Sequence, residues 1–249
     1  MKKAVIIPAR MQATRLPGKP LALLGTKPLI LRVYEQAMKA TGIDEVAVAT
    51  DSCEIMNAVE SAGGQAVLTR SDHASGSDRV AEAAELIGAD LIVNVQGDEP
   101  FINPDDISRL MQYLEQKPDS IVTMDYKLTS IEQVRDENVV KVVKSDSGRA
   151  LYFSRSPIPY AQNPEDVLGL ARGHIGIYGY HRIVLEKLTA APVAELEKLE
   201  RLEQLRAMAQ GIPIWVLEAQ EAPIGIDTPE DLEAARKRLQ ELGDDAFPG

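Results

Sequence analysis

The apolar positions of this chain fall into short runs separated by stretches in which apolar residues recur every three or four positions. Ala4 to Ile7, Glu45 to Thr50, Ala66 to Leu68 and Asp90 to Val95 read as strands. The last is nearly all apolar and therefore central. About Pro28 to Thr41, a stretch through Met56, Val59 and Ala62 closed by Gly63-Gly64, and Asp78 to Ile87 carry helical spacing. Pro8 lacks a backbone donor and is expected to close the first strand. Strands alternating with helices at this interval predict right-handed βαβ units. The fold class is α/β, a three-layer α/β/α, doubly wound, mostly parallel sheet.

From Pro104 the pattern changes. A helix over about Asp105 to Gln116 leads to a strand at Ile121 to Lys127, then a polar helix. Val139 to Lys144 and Ala150 to Phe153 flank the turn signal Asp146-Ser147-Gly148 and read as a hairpin. Pro157, Pro159 and Pro164 make residues 155–172 irregular, and Gly173 to Tyr180 is a glycine-spaced strand. Glu195 to Gln210 is predicted as one helix with Leu196, Leu199, Leu202 and Leu205 on one face. Ile212 to Leu217 is a late strand. Thr228 caps a last helix with Pro229 at its first position and Asp231 three on from the cap. Residues 244–249 are expected to fray. No flexible linker sets the middle apart. The chain, 1–249, therefore reads as one domain with an antiparallel elaboration at about 120–210.

Composition narrows the function classes. The formal net charge of −11 argues against a general nucleic-acid or membrane-surface binder, so an anionic substrate needs a local basic pocket. One cysteine, Cys53, excludes an internal disulfide and fits a reducing compartment. Two lysines precede only a short apolar run, and no long apolar stretch follows. The expectation is a soluble, cytoplasmic protein without a signal peptide or membrane span.

The local basic pocket has a candidate. Arg10, Arg15 and Lys19 crowd the loop after the first strand, with Gly18 just before the last of them. Such cations repel one another unless something anionic lies between them. A strand, a cationic glycine-containing loop and a helix form the layout of a nucleotide-phosphate site, although the spacing is neither that of a P-loop nor a G-x-G-x-x-G. Asp98 stands just past the fourth strand in Val93-Asn-Val-Gln-Gly-Asp-Glu-Pro100, at the edge where that loop also ends. The same strand delivers Gln96, while Glu99 is read as structural and Gly97 as allowing the sharp turn. For Asp227, just before Thr228, spacing alone leaves both helix-start chemistry and function open. Ser75-Gly-Ser-Asp-Arg79 is equally an N-cap or an anion-binding helix start. His174 and Tyr178 share a strand face with Gly176 between them, which leaves room for a ligand. His73, His181 and Cys53 are assigned no role.

Several segments together resemble one family. IIPAR, TRLPGKPL, VAVATD (46–51), SGSDR (75–79), VNVQGDEP (93–100), LYFSRSPIPY (151–160), HIGIYGY (174–180), LEQLR (202–206) and GIDTPEDLE (225–233) are similar to the 3-deoxy-manno-octulosonate (Kdo) cytidylyltransferases. The resemblance implies a Rossmann-like nucleotidyltransferase that joins CTP and Kdo into CMP-Kdo and pyrophosphate for lipopolysaccharide biosynthesis. It implies that Pro8, Ala9, Arg10, Arg15, Lys19, Ser75, Arg79 and Gln96 face the nucleotide. Asp98 and Asp227 would hold Mg2+ and act in catalysis with Lys19, Arg10 and Arg15. Gln96, Arg155, His174, Tyr178, Glu203 and Gln204 would line the sugar pocket, Arg155 taking the carboxylate. The family also implies a homodimer, which the leucine-faced helix suits. The same chemistry on 8-amino-Kdo or a sialic acid, and a non-catalytic nucleotide-binding module, are the alternatives.

Overall fold

The computed structural model describes residues 1–12 and 15–247, so Ala13 and Thr14 of the cationic loop, and Pro248 and Gly249 of the expected frayed end, lie outside the described residues. The chain forms two compact units, Met1–Gln112 with Pro223–Gly249, and Tyr113–Ala222.

In the first unit, strands and helices alternate as β1 (Lys3–Ala9), α1 (Leu29–Met38), β2 (Glu45–Thr50), α2 (Cys53–Ser61), β3 (Ala66–Leu68), α3 (Gly76–Ile87) and β4 (Leu91–Asn94). The four strands are parallel in the order β3-β2-β1-β4. The chain steps outward from β1 to β3, then crosses back to place β4 on the other side of β1. The handedness of such crossovers puts α1 and α2 on one face and α3 on the other. Ala4 to Ile7, Ala47 to Ala49 and Leu91 to Val93 are fully buried, as strands covered on both faces must be.

Pro8 does not end β1. Pairing with β4 stops at Ile6 and Asn94, whereas pairing with β2 continues through Pro8–Ala49 and Ala9–Thr50. Ile6 turns its carbonyl toward the β4 side, accepting from Val95 N at 3.1 Å. Pro8, two residues on, points the same way, so its missing N–H faces the side where the ladder has already stopped. The strand therefore runs two residues beyond the expected end.

The C-terminal helix, Pro229–Leu242, belongs to this unit and opens with the expected capping box. Thr228 Oγ1 accepts from Asp231 N at 3.1 Å, and Thr228 N donates to Asp231 Oδ2 at 2.8 Å. The tail beyond it does not fray at once. Ala246 is buried and the Phe247 ring stacks on Phe101 with centroids 5.1 Å apart. These residues join Leu24, Leu29, Ile226 and Leu232 in an apolar cluster that also holds Leu16.

α4 (Pro104–Glu115) leads into the second unit, which holds β5 (Ile121–Lys127), α5 (Ile131–Arg135), β6 (Lys141–Lys144), β7 (Ala150–Ser154), β8 (Arg172–His181), α6 (Arg182–Ala190), α7 (Glu195–Glu200), α8 (Gln204–Ala209) and β9 (Ile214–Glu218). β9 runs parallel to β5, β8 runs antiparallel to it, and β6 and β7 form the expected hairpin. The fold is therefore α/β with a mixed sheet pattern, parallel in the first unit and carrying antiparallel strands in the second.

The single helix expected over Glu195 to Gln210 is two short helices. Arg201 between them adopts φ 56°, a left-handed conformation that ends a helix and that a non-glycine residue does not advertise. The break parts the leucines: Leu202 and Leu205 are buried, while Leu196 and Leu199 are 49% and 80% exposed. Helix α6, which the sequence reading passed over, completes the unit. Among the described residues, no helix is long and apolar enough to cross a membrane.

Candidate active site

β1 lies where the strand order reverses, between β2 and β4. In open α/β sheets, ligands collect in the crevice outside the strand ends at that point. The loop after β1 is shaped by its own backbone. Gly18 sits at φ 69°, a left-handed turn that a side chain would strain, and its N–H reaches Met11 O at 3.3 Å. Leu16 anchors the loop in the apolar cluster. Lys19 then opens a short 3-10 turn, Lys19–Leu21, with its side chain largely buried.

After β4 the chain turns at Gly97. A Cβ there would lie 2.9 Å from Pro8 O, a backbone atom that cannot yield. Close approach, rather than a positive φ, is what this glycine serves. The turn presents Asp98 beside the β1 loop. The carbonyl of Asp98 accepts the N–H of fully buried Ile226 at 2.9 Å, and that bond brings in the next residue, Asp227. Because Thr228 and Asp231 cap the C-terminal helix between them, the Asp227 side chain is not the cap.

Four predicted residues thus come together. Lys19 Nζ donates to Asp98 Oδ2 at 2.6 Å and to Asp227 Oδ1 at 3.0 Å. Arg15 Nη2 pairs with Asp227 Oδ2 at 3.1 Å. Burial alone would push the Lys19 ammonium down. The charges and hydrogen bonds of Asp98, then Asp227, outweigh it and hold the group above the usual lysine value. Glu99, read from sequence as structural, belongs to the same group. Burial first, then the negative charges of Asp98 and Asp227, push its carboxyl up to about 8, against the pull of Lys19. It is therefore neutral at pH 7. The only signal for it in the sequence was its place beside Asp98.

The other nucleotide-side candidates are placed as follows. Ala9 ends β1 and Arg10 follows it, exposed. Ser75 caps α3 in a reciprocal box with Asp78, and the start of that helix lies against Pro8, since a Cβ on Gly76 would meet Pro8 Cγ at 4.0 Å. Arg79 is buried, with its guanidinium on Thr69 Oγ1 at 2.6 Å and Asp51 Oδ2 at 3.1 Å, and so clasps the ends of β2 and β3. Gln96 lies between β4 and Asp98, half-buried.

In the second unit, a bulge in β8 between Ile175 and Tyr178 leaves the carbonyls of Ile175 and Ile177 facing the Thr123 hydroxyl on β5. Its hydroxyl donates to Ile177 O at 2.6 Å, so the 2.9 Å contact with His174 Nε2 leaves the ring nitrogen as donor. The His174 ring packs between Phe153 and Tyr178, and burial pushes its pKa down to about 3, which keeps it neutral. Burial, then the charge of nearby Glu203, pushes the Tyr178 hydroxyl up. Gln204 is buried with its Nε2 unpartnered, an amide with a donor to spare. Arg155 spends its guanidinium on the carbonyls of Glu200 and Glu137, both at 2.9 Å. His73 pairs with Glu82, and His181 Nε2 donates to Leu114 O at 3.2 Å.

Parallel strands in this order, with cations and carboxylates gathered at the switch point, define an α/β protein of the nucleotide-handling class. Comparison with known proteins narrows the class. The cytidylyltransferase family model matches residues 4–218. The chain is 44% identical to the 3-deoxy-manno-octulosonate cytidylyltransferase of Escherichia coli, covering 99% of this chain and 100% of that one. It is 47% identical to the protein of the same name from Azorhizobium caulinodans, covering 94% of each. Among solved structures, CMP:2-keto-3-deoxy-manno-octonic acid synthetase complexed with CTP superposes with a TM-score of 0.91 at 42% identity, covering 97% of this chain and 99% of that one. A cytidylyltransferase from Leptospira borgpetersenii, 17% identical with a TM-score of 0.66, covers 100% of this chain and 91% of that one and shares the fold. The chain belongs to the cytidylyltransferase family and, within it, to the 3-deoxy-manno-octulosonate cytidylyltransferases.

Proposed function

We infer that this protein transfers the cytidylyl group of CTP to 3-deoxy-manno-octulosonate, giving CMP-Kdo and pyrophosphate. Full-length relatives of that name support the reaction. The observation that carries the reading is the meeting of Asp98 and Asp227 on one ammonium, Lys19, at the switch point of the sheet. A hydroxyl oxygen of the sugar acid forms the new bond to the α-phosphorus as the bond to the pyrophosphate oxygen breaks, and the hydroxyl proton passes to solvent water. Lys19, Arg15 and Arg10 hold the triphosphate and offset the charge that builds on the departing pyrophosphate. Positioning supplies much of the remaining acceleration.

Asp98 and Asp227 fit Mg2+. They offer hard carboxylate oxygens already gathered about one positive charge, and magnesium takes one or two carboxylates, with phosphate oxygens and water completing its shell. When bound, the ion supplies further electrostatic stabilisation at the phosphates. His174, Tyr178, Glu203 and Gln204 supply polar groups for the sugar acid, the spare amide of Gln204 among them.

The protein works as a cytoplasmic homodimer. Exposed apolar side chains on successive helices of one unit, Ile183 at 76% and Leu199 at 80%, are available to a partner, and the free Cys53 suits a reducing compartment. Light scattering should return twice the 27.2 kDa chain mass.

Pyrophosphate release from CTP with Kdo, 8-amino-Kdo or sialic acid tests the reading. Release with Kdo is expected. Release only with another sugar acid would reassign the substrate, and none with any would overturn the transfer.

A further inference from the structure

The oxygens that suit a divalent cation are already in use. Lys19 Nζ sits 2.6 Å from Asp98 Oδ2 and 3.0 Å from Asp227 Oδ1, while Arg15 Nη2 lies 3.1 Å from Asp227 Oδ2. Three of the four carboxylate oxygens of the pair thus face a side-chain cation. A second positive charge cannot share these oxygens with the largely buried ammonium without repulsion. Nor can the ammonium leave without cost. Asp98 and Asp227 would then repel each other. Withdrawal of one cation has to coincide with arrival of another. Lysine suits such an exchange, because its compact charge rides on a flexible stem that can turn from a carboxylate to a phosphate.

We propose that Lys19 is an internal counter-cation, which keeps a divalent cation off Asp98 and Asp227 until a nucleotide triphosphate draws the ammonium onto its phosphates. Nucleotide and cation then bind with positive coupling, each raising the affinity for the other by the same factor. This rests on the reading of Asp98 and Asp227 as the cation site. Lys19 has two successive partners, and the carboxylates are never left bare.

The test uses Mn2+ as the probe, with the intact protein and no nucleotide, the free ion being read by electron paramagnetic resonance. Wild type should bind Mn2+ weakly, and Lys19→Met should bind it about tenfold more tightly or better. Lys19→Gln, equally uncharged, should show the same gain and serves if the methionine variant fails to fold. Adding Asp98→Asn to either variant should abolish the gain. Equal Mn2+ affinity in wild type and both Lys19 variants, with Asp98→Asn weakening all of them, would overturn the exchange and leave the cation site standing. Mn2+ affinity that ignores Asp98→Asn would remove the cation site itself, and the exchange with it.

Discussion

Lys19 and Asp98 lie 79 residues apart in the chain, yet the ammonium of one and a carboxylate oxygen of the other are 2.6 Å apart. The left-handed turn at Gly18 delivers one partner and the tight turn at Gly97 the other. This charge-assisted pair ties the loop after β1, which also packs through Leu16, to the turn after β4. Lys19→Ala should lower kcat by on the order of 10²–10³ while the thermal midpoint, measured with Mg2+ present to take the place of the ammonium between Asp98 and Asp227, stays nearly unchanged. Steady-state rates and a calorimetric scan check this. A loss of stability that matches the loss of activity would mark the loop as structural.

Gly97→Ala should destabilise the protein by roughly 1–3 kcal/mol, because the new methyl would stand 2.9 Å from the carbonyl oxygen of Pro8. The same shift would carry Asp98 away from Lys19. Chemical denaturation should show a lower midpoint together with a loss of kcat. Unchanged stability would mean that the two turns have slack the structure does not show.

Arg79→Leu should cost roughly 2 kcal/mol of stability, since it strips charged hydrogen bonds from Thr69 and Asp51. Urea unfolding of the variant measures it. A variant of wild-type stability that binds CTP much more weakly would instead give Arg79 wholly to the nucleotide.

Three of the first four strands were legible as apolar runs rich in β-branched residues, which strands buried on both faces allow, and the short Ala66–Leu68 by its place after the Gly63-Gly64 stop. Pro8 misled because a missing donor breaks a ladder only on the side its N–H would face, which depends on the neighbouring strand. The break at Arg201 was hidden for a related reason. The leucine spacing crosses it undisturbed, and no glycine marks the left-handed residue. Asp98 could be placed at the strand edge from sequence. The side-chain role of Asp227 could not be separated from helix capping until Thr228 and Asp231 were seen to make the cap. Glu99 reads as structural from sequence because its environment, not its position, sets its protonation.

His174 gives the protein a pH dependence of known sign. Its folded-state pKa of about 3 lies below the ordinary 6.5, so between these values the unfolded chain binds more protons than the folded one. Stability contributed by the neutral ring is complete above pH 6.5 and falls as the pH drops toward 3. His174→Gln should flatten this part of the curve of thermal midpoint against pH. Parallel curves for the two proteins would show that the ring titrates freely.

Phosphorus-31 NMR of wild-type protein with CTP, Mg2+ and Kdo tests the central claim most directly. The account predicts that the triphosphate signals give way to one phosphodiester resonance, the sugar nucleotide, and to pyrophosphate in equal amount. CTP left intact, or free CMP in place of the phosphodiester, would contradict it.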